Sequence, residues 1–285
     1  MRVDCEGCAG CCVDWRDGES AADHERRGPQ EPLDDVYNLV PLSRDDVRSI
    51  LAAGLADATT PRLWRAEGDR GVAVDGRRIA AIDGKPAFYL GLRTPPKPVA
   101  PHDLEPRWRP TCVFLDPETL QCRVHEAETY PAECAAYPGH NLALGAETEC
   151  ERVEAATGDE RLLDDDAPVA VEDLLLGPQA IGQKVFVYPD REDLSGVVAR
   201  AATGALTRED RARFAAAAAA NAPGTTEVDE AHFASALDRA RAADSWAGRA
   251  VADWQDLAGA KPPDPGLARR VETDRGAPET PGWND

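Results

Sequence analysis

Residues 5–12 read Cys-Glu-Gly-Cys-Ala-Gly-Cys-Cys, which places Cys5, Cys8, Cys11 and Cys12 within eight positions. The C-x2-C-x2-C spacing has a physical meaning. Two intervening residues let the backbone turn so that successive sulfurs converge on one ion at about 2.3 Å, while the N–H groups between them bond the thiolates. Cys12, adjacent to Cys11, is expected to point away from that ion and to serve a second site. Four more cysteines, Cys112, Cys122, Cys134 and Cys150, follow after a long gap, and none occurs beyond residue 150. A random scatter would not leave the second half of the chain empty of cysteine.

Composition narrows the use of these thiols. A chain of 285 residues buries a core without cross-links, so the cysteines are not needed as staples. The segment ahead of Cys5 has no apolar stretch of the kind a secretory leader carries, and no run of about 18 apolar residues occurs anywhere. A cytoplasmic location with reduced thiols is therefore expected, and metal ligation is favoured over disulfides. Against 52 acidic side chains stand 32 basic ones, a net charge of −20, and only four of the cations are lysine: Lys85, Lys97, Lys184 and Lys261. Nucleic acid would be repelled, and membrane binding has no segment to carry it. The acidic, lysine-poor profile resembles that of proteins from extreme halophiles, so the charge is read as adaptation to salt rather than as choice of partner.

Along the chain, Asp14 to Pro32 is charged and turn-rich, an exposed excursion. Ser43 with Asp46 has the spacing of a helix cap, and Val47, Ile50 and Leu51 supply the apolar stripe of a short helix stopped near Gly54. Asp75-Gly76 and Asp83-Gly84 separate β-favouring runs and predict a three-stranded antiparallel meander from about Val72 to Leu92. The four prolines between Thr94 and Pro101 predict a stiff connector without regular structure. Beyond Cys150 the chain is Ala-rich: Thr207 with Asp210 starts one helix that ends at Asn221-Ala-Pro-Gly224, and a second carries Phe233, Leu237, Ala240, Ala247, Val251, Trp254 and Leu257 on one face. The fold class expected is α+β: an irregular, metal-organised cysteine-cluster domain at 1–150 with the small meander, an Ala-rich helical extension at 151–260 packed on it, and a Pro- and charge-rich disordered tail at 261–285.

The later cysteines complete a recognisable pattern. Cys112 is followed by Phe114 and Leu115, then by Cys122, Pro131, Cys134 and Tyr137-Pro138. Together with C-x2-C-x2-C-C near the start, residues 4–150 resemble the YkgJ-type cysteine-cluster family, whose domain is described as chelating zinc or iron. The resemblance implies that all eight cysteines are candidate metal ligands. It departs at Tyr130-Pro131, where many members have Arg-Pro, and at His125, where many have tyrosine. His125 stands at C-x2-H spacing from Cys122, which zinc permits, but a packing or supporting role is favoured for it. His24, His102, His140 and His232 have no ligand spacing.

Three functions compete on this reading. The first is a metal-binding protein holding zinc or iron. The second is an iron–sulfur protein, although Ala135 stands where a Cys-Pro run would put proline. The third is a cluster-dependent enzyme such as a protein lysine N-methylase, a class the cysteine-cluster family includes. No G-x-G-x-x-G, G-x-S-x-G or H-E-x-x-H occurs in a context for catalysis, and no catalytic residue is assigned. Among the ligands Cys8, central in the triplet, is expected to matter more than the isolated Cys150.

Overall fold

A computed structural model describes residues 2–5, 7–16, 30–164 and 182–281. Most of the excursion expected between Asp14 and Pro32 lies outside these residues, as does His24. Architecture is α+β, as expected. Ser43 caps α1 (Arg44–Ala52), its hydroxyl accepting from the Asp46 N–H while Asp46 reaches back to the Ser43 N–H. Val47, Ile50 and Leu51 are its buried stripe.

The meander is present as β3 (Gly71–Val74), β4 (Arg77–Ile82) and β5 (Lys85–Leu92), joined by Asp75-Gly76 and Asp83-Gly84 with positive φ at all four residues. That is the backbone a two-residue hairpin turn requires. The sheet is larger than the meander. β2 (Thr59–Leu63) pairs antiparallel with β5, giving the order β2-β5-β4-β3, and β9 (Phe186–Val187) also pairs with β5 at Ala87 and Phe88. From Pro86 to Leu92 every residue of β5 is buried, as a strand covered on both faces should be.

The proline-rich connector is a correction. Pro96–Val99 forms β6, paired antiparallel with β7 (Arg107–Pro110). Proline lacks an N–H, but Pro96 and Pro98 occupy alternate positions, so Lys97 and Val99 can donate across the ribbon while the proline nitrogens point away from β7. Thr111 N–H donates to Pro95 O at 2.9 Å in the same phase.

Helix α6 (Arg208–Ala220) is capped by Thr207 with Asp210 and ends at Asn221. Phe214 through Ala220 are all buried, so the helix is enclosed all round and shows no polar face in that stretch. Its small side chains let β2, α1 and α7 (Glu230–Ala242) approach closely. Asn221 joins it to the sheet, accepting from Val187 N–H at 2.9 Å and donating to Val187 O at 3.0 Å. The second expected helix is two: α7 ends at Ala242, and Ser245 caps α8 (Trp246–Ala258), its hydroxyl accepting from the Gly248 N–H. Asp244-Ser245 competes locally for backbone hydrogen bonds and breaks the run. One buried cluster reaches from Ala9 to Val251, and α4 (Glu149–Thr157) runs across the boundary placed at residue 150, so that boundary is no gap in the core.

The tail is the second correction. Pro265–Asp274 is a helix, here α9, and its Glu272 is fully buried. Glu272 pairs with Lys97 at 2.6 Å and with Arg123 at 2.7 Å, both buried. Lys97 also donates to Val113 O and Leu115 O, at 2.9 and 2.7 Å, and Arg123 pairs with Asp116 at 2.9 Å. Arg123 donates to Pro278 O at 2.8 Å, and Thr280 donates to Asp116. Few apolar residues suggested a free tail; a buried carboxylate between two buried cations is the centre of what holds it, with the Arg275–Asp253 pair and Val271 packed on Trp254 beside it. Trp283 lies outside the described residues. Glu272→Ala, which strands Lys97 and Arg123, is expected to cost about 3–5 kcal/mol, read as a lower denaturant midpoint. A loss below ~0.5 kcal/mol, the level of an exposed pair, would show that the tail is not held this way.

Candidate functional site

Backbone bonds bring the two cysteine groups together. The loop of residues 7–13 folds back on itself, Cys12 and Val13 N–H both donating to Ala9 O at 2.8 and 3.0 Å. It then runs antiparallel to the end of β7: Asp14 N–H donates to Pro110 O at 2.8 Å, and Cys112 N–H to Cys12 O at 2.7 Å. From Cys112 the chain makes a tight loop, closed by Asp116 N–H to Gln121 O and Arg123 N–H to Phe114 O, that returns Cys122 beside Leu115. Cys134 is carried by α2 (Ala132–Ala136) and Cys150 by the first turn of α4, which Thr148 caps with Glu151. On the other side β1 (Arg2–Val3) pairs with β8 (Leu162–Asp164), and Asp4 N–H donates to Arg161 O, holding the chain just ahead of Cys5.

All eight cysteines line one cavity of about 130 Å³ and none is in a disulfide. That volume exceeds the few tens of Å³ a water needs. Cys5 is exposed at its edge, while Cys8, Cys112 and Cys150 are buried. Cys12 is turned toward the later cysteines: its sulfur is 3.9 Å from that of Cys11, and its thiol also bonds the sulfur of Cys112. Cys12 is thus the contact between the N-terminal and the later group. Cys150 is not isolated, since it lines the same cavity and, after burial, the thiols of Cys11, Cys5 and Cys8 push its pKa up. Cys134 faces Cys112, Cys11 and Cys122. By these electrostatic couplings Cys5, Cys8 and Cys150 go together and Cys12, Cys112, Cys122 and Cys134 go together, with Cys11 coupled to both groups. As posed, no three Cys, His, Asp or Glu side chains among the described residues stand where they could hold one ion.

Electrostatics follow from burial and from the sulfur contacts. Donation by the Cys12 thiol lowers the pKa of Cys11 and brings that of Cys112 down to about 7. Cys112 is further helped by the Phe114 and Leu115 N–H groups and by Lys97. Cys12, as donor to both, is pushed well up. Burial, with Cys112 next, raises Cys122 to about 12, and burial raises Cys134 and Cys150 too. Backbone N–H groups of Gly10 and Val124 bond Cys8 and Cys122. Donors of this kind are what a cluster of thiolates requires.

Residues that the spacing of cysteines could not reveal surround the cavity. Glu149, buried at its wall, accepts from Tyr37 at 2.9 Å and from Trp15 at 3.1 Å, and lies 3.4 Å from Arg152. Arg16 stacks on Tyr37 at 3.8 Å from the ring centroid. Glu133, also at the wall, pairs with the buried Lys184 and meets His140 at 3.3 Å. The i,i+3 spacing of Glu149 and Arg152 on a capped helix was a readable signal; the approach of Tyr37 and Lys184 is purely tertiary. His125 packs edge-on against Tyr130, ring centroids 5.0 Å apart, and does not line the cavity. Among the described residues no helix is long and apolar enough to cross a membrane.

Over residues 1–284 the chain matches, and belongs to, the Family of unknown function (DUF7531). No curated protein and no solved structure matches it.

Gly10 fixes how closely the cysteine loop packs on α4. A Cβ there would lie 2.7 Å from Val153 Cγ2 and 3.4 Å from Cys8 Sγ. Gly10→Ala is expected to cost ~1–3 kcal/mol by overpacking, and much less when Val153→Ala has already opened the space. Thermal unfolding of the two single variants and the double variant measures this; strict additivity would refute the contact.

Proposed function

We propose that the protein is a thiolate metal-binding protein that holds zinc or iron through its eight cysteines. The observation that carries this reading is their convergence from positions spread between residues 5 and 150 onto one cavity. The donor chemistry fits: soft sulfurs suit zinc or iron, backbone N–H groups already face several of them, and Lys97 supplies positive charge beside Cys112. The spacing that makes residues 4–150 resemble the YkgJ-type family supports the same reading. Zinc closed in by thiolates would serve structure, since no open position is left for a substrate, whereas iron–sulfur would supply electron transfer. On either choice Cys5, Cys8, Cys11 and Cys150 form one ligand set and Cys12, Cys112, Cys122 and Cys134 the other. Loading requires the thiols to turn about χ1 toward common centres.

Anaerobic purification followed by elemental analysis and an absorption spectrum tests the proposal. The expected result is at least about one zinc or iron per chain, colourless for zinc and coloured for iron–sulfur. Protein that stays metal-free after reconstitution with either metal would overturn it. Because Cys150 groups with the first triplet, the ranking of Cys8 above Cys150 is replaced: Cys8→Ser and Cys150→Ser are expected to lower metal content equally, and limited proteolysis should open residues 1–150 in both. Full loading of Cys150→Ser would return Cys150 to a packing role.

A further inference from the structure

Away from the cysteines, a cavity of about 260 Å³ lies between the turn Ala56–Ala58, Arg93 just beyond β5, and helices α6, α7 and α8. Four arginines line it, Arg93, Arg208, Arg211 and Arg249, against two carboxylates, Asp57 and Asp244. In a chain of net charge −20 a cavity with this balance is unexpected.

Two of the four arginines are already engaged. Arg208 donates to Arg241 O at 2.9 Å and to Ala243 O, satisfying carbonyls at the end of α7. Arg249 donates to Asp244 O at 2.6 Å and to Arg275 O at 3.0 Å, and pairs with the Asp244 carboxylate. The inner two are not. Arg93 makes one hydrogen bond, to Asp57 O at 3.2 Å, from a guanidinium with five N–H donors. The Arg211 side chain makes no hydrogen bond or ion pair among the described residues, and its Nε is buried without a partner.

Nor do the neighbouring carboxylates answer them. Asp57 is taken up by Ser245, accepting from its hydroxyl at 2.5 Å and its N–H at 3.0 Å. It is pressed onto the start of α8, where a Cβ on Gly248 would lie 2.0 Å from Asp57 Oδ2. Asp210 is forked by Arg200 at 2.8 and 2.7 Å. Burial first, and then the charge of Arg211, brings the pKa of Arg93 down to about 10. Asp57 and Asp210 act on Arg93 and Arg211 through their charge but form no ion pair with them; two neighbouring guanidinium groups with spare donors are costly to keep, and planar forks of this type match the oxygens of a tetrahedral dianion.

We propose that this cavity is a binding site for a phosphate-class oxyanion, either inorganic phosphate or the phosphoryl end of a small ester, held between Arg93 and Arg211. Arg208 and Arg249 form its cationic surround. The site is independent of the cysteine cavity.

Calorimetric titration of the full chain with inorganic phosphate and with phenyl phosphate, at constant ionic strength set by chloride, tests it. Saturable binding of either probe is expected, and the tighter one tells a free anion from an ester. Arg211→Gln and Arg93→Lys, the second keeping the charge but losing the fork, should each weaken binding about tenfold or more. Arg249→Gln should change it less than about threefold. Absence of saturable binding to the unaltered protein would overturn the proposal, as would binding by Arg93→Lys and Arg211→Gln as tight as that of the unaltered protein. Should Arg211→Gln fail to fold, the unaltered protein and Arg93→Lys decide.

Discussion

The hydrogen bond from Cys112 N–H to Cys12 O, with its neighbour from Asp14 N–H to Pro110 O, joins two stretches of chain separated by almost a hundred residues. Everything around the cysteine cavity depends on that join. It sets Cys11, Cys12 and Cys112 side by side before any ligand is considered, and it needs β7 to be held straight. β6 does that, although half of it is proline, because its two prolines point their nitrogens away from β7 and leave the donors that face it intact. Lys97 sits between those prolines and reaches under the Cys112 loop to Val113 O and Leu115 O. Ribbon, loop and cysteine turn therefore form one hydrogen-bonded unit.

Much of the fold could be read from local chemistry. Helix caps at Ser43 and Thr207, and the Asp-Gly turns of the meander, depend on residues within a few positions of each other, and the structure has all of them. What sequence could not supply was partnership at a distance. β2 and β9 join β5 through tertiary pairing, and the proline ribbon follows from which alternate positions the prolines occupy. The tail was misread because apolar content alone was weighed, whereas Glu272 is held by charge. At the cysteines, the spacing singled out residues that line one cavity, and adjacency to Cys11 turned Cys12 toward the later group, but nothing in the sequence set Cys150 beside the same cavity. Arg93 and Arg211 carry no motif at all; only folding brings them together.

Charge is distributed unevenly between surface and interior. The surplus of carboxylates is a surface property that salt screens, and it opposes compaction at low ionic strength. Buried groups behave differently. Two of the four lysines, Lys97 and Lys184, are almost completely buried and each meets a buried glutamate. Each lysine delivers a point charge on a flexible stem into the interior, beside buried arginines such as Arg62, Arg123 and Arg152.

Glu272 also imposes an order on assembly. During synthesis Lys97 and Arg123 are made long before the carboxylate they enclose, and domains fold from the N-terminal side as they emerge. Until α9 has left the ribosome, Lys97 under the loop between Cys112 and Cys122 and Arg123 at its end carry an incomplete set of counter-charges. The cysteine region thus reaches its finished electrostatic environment only once Glu272 has been made and α9 has docked, so its maturation is coupled to synthesis of a helix far down the chain, and a chain without α9 presents its thiols in a looser setting than one that has it.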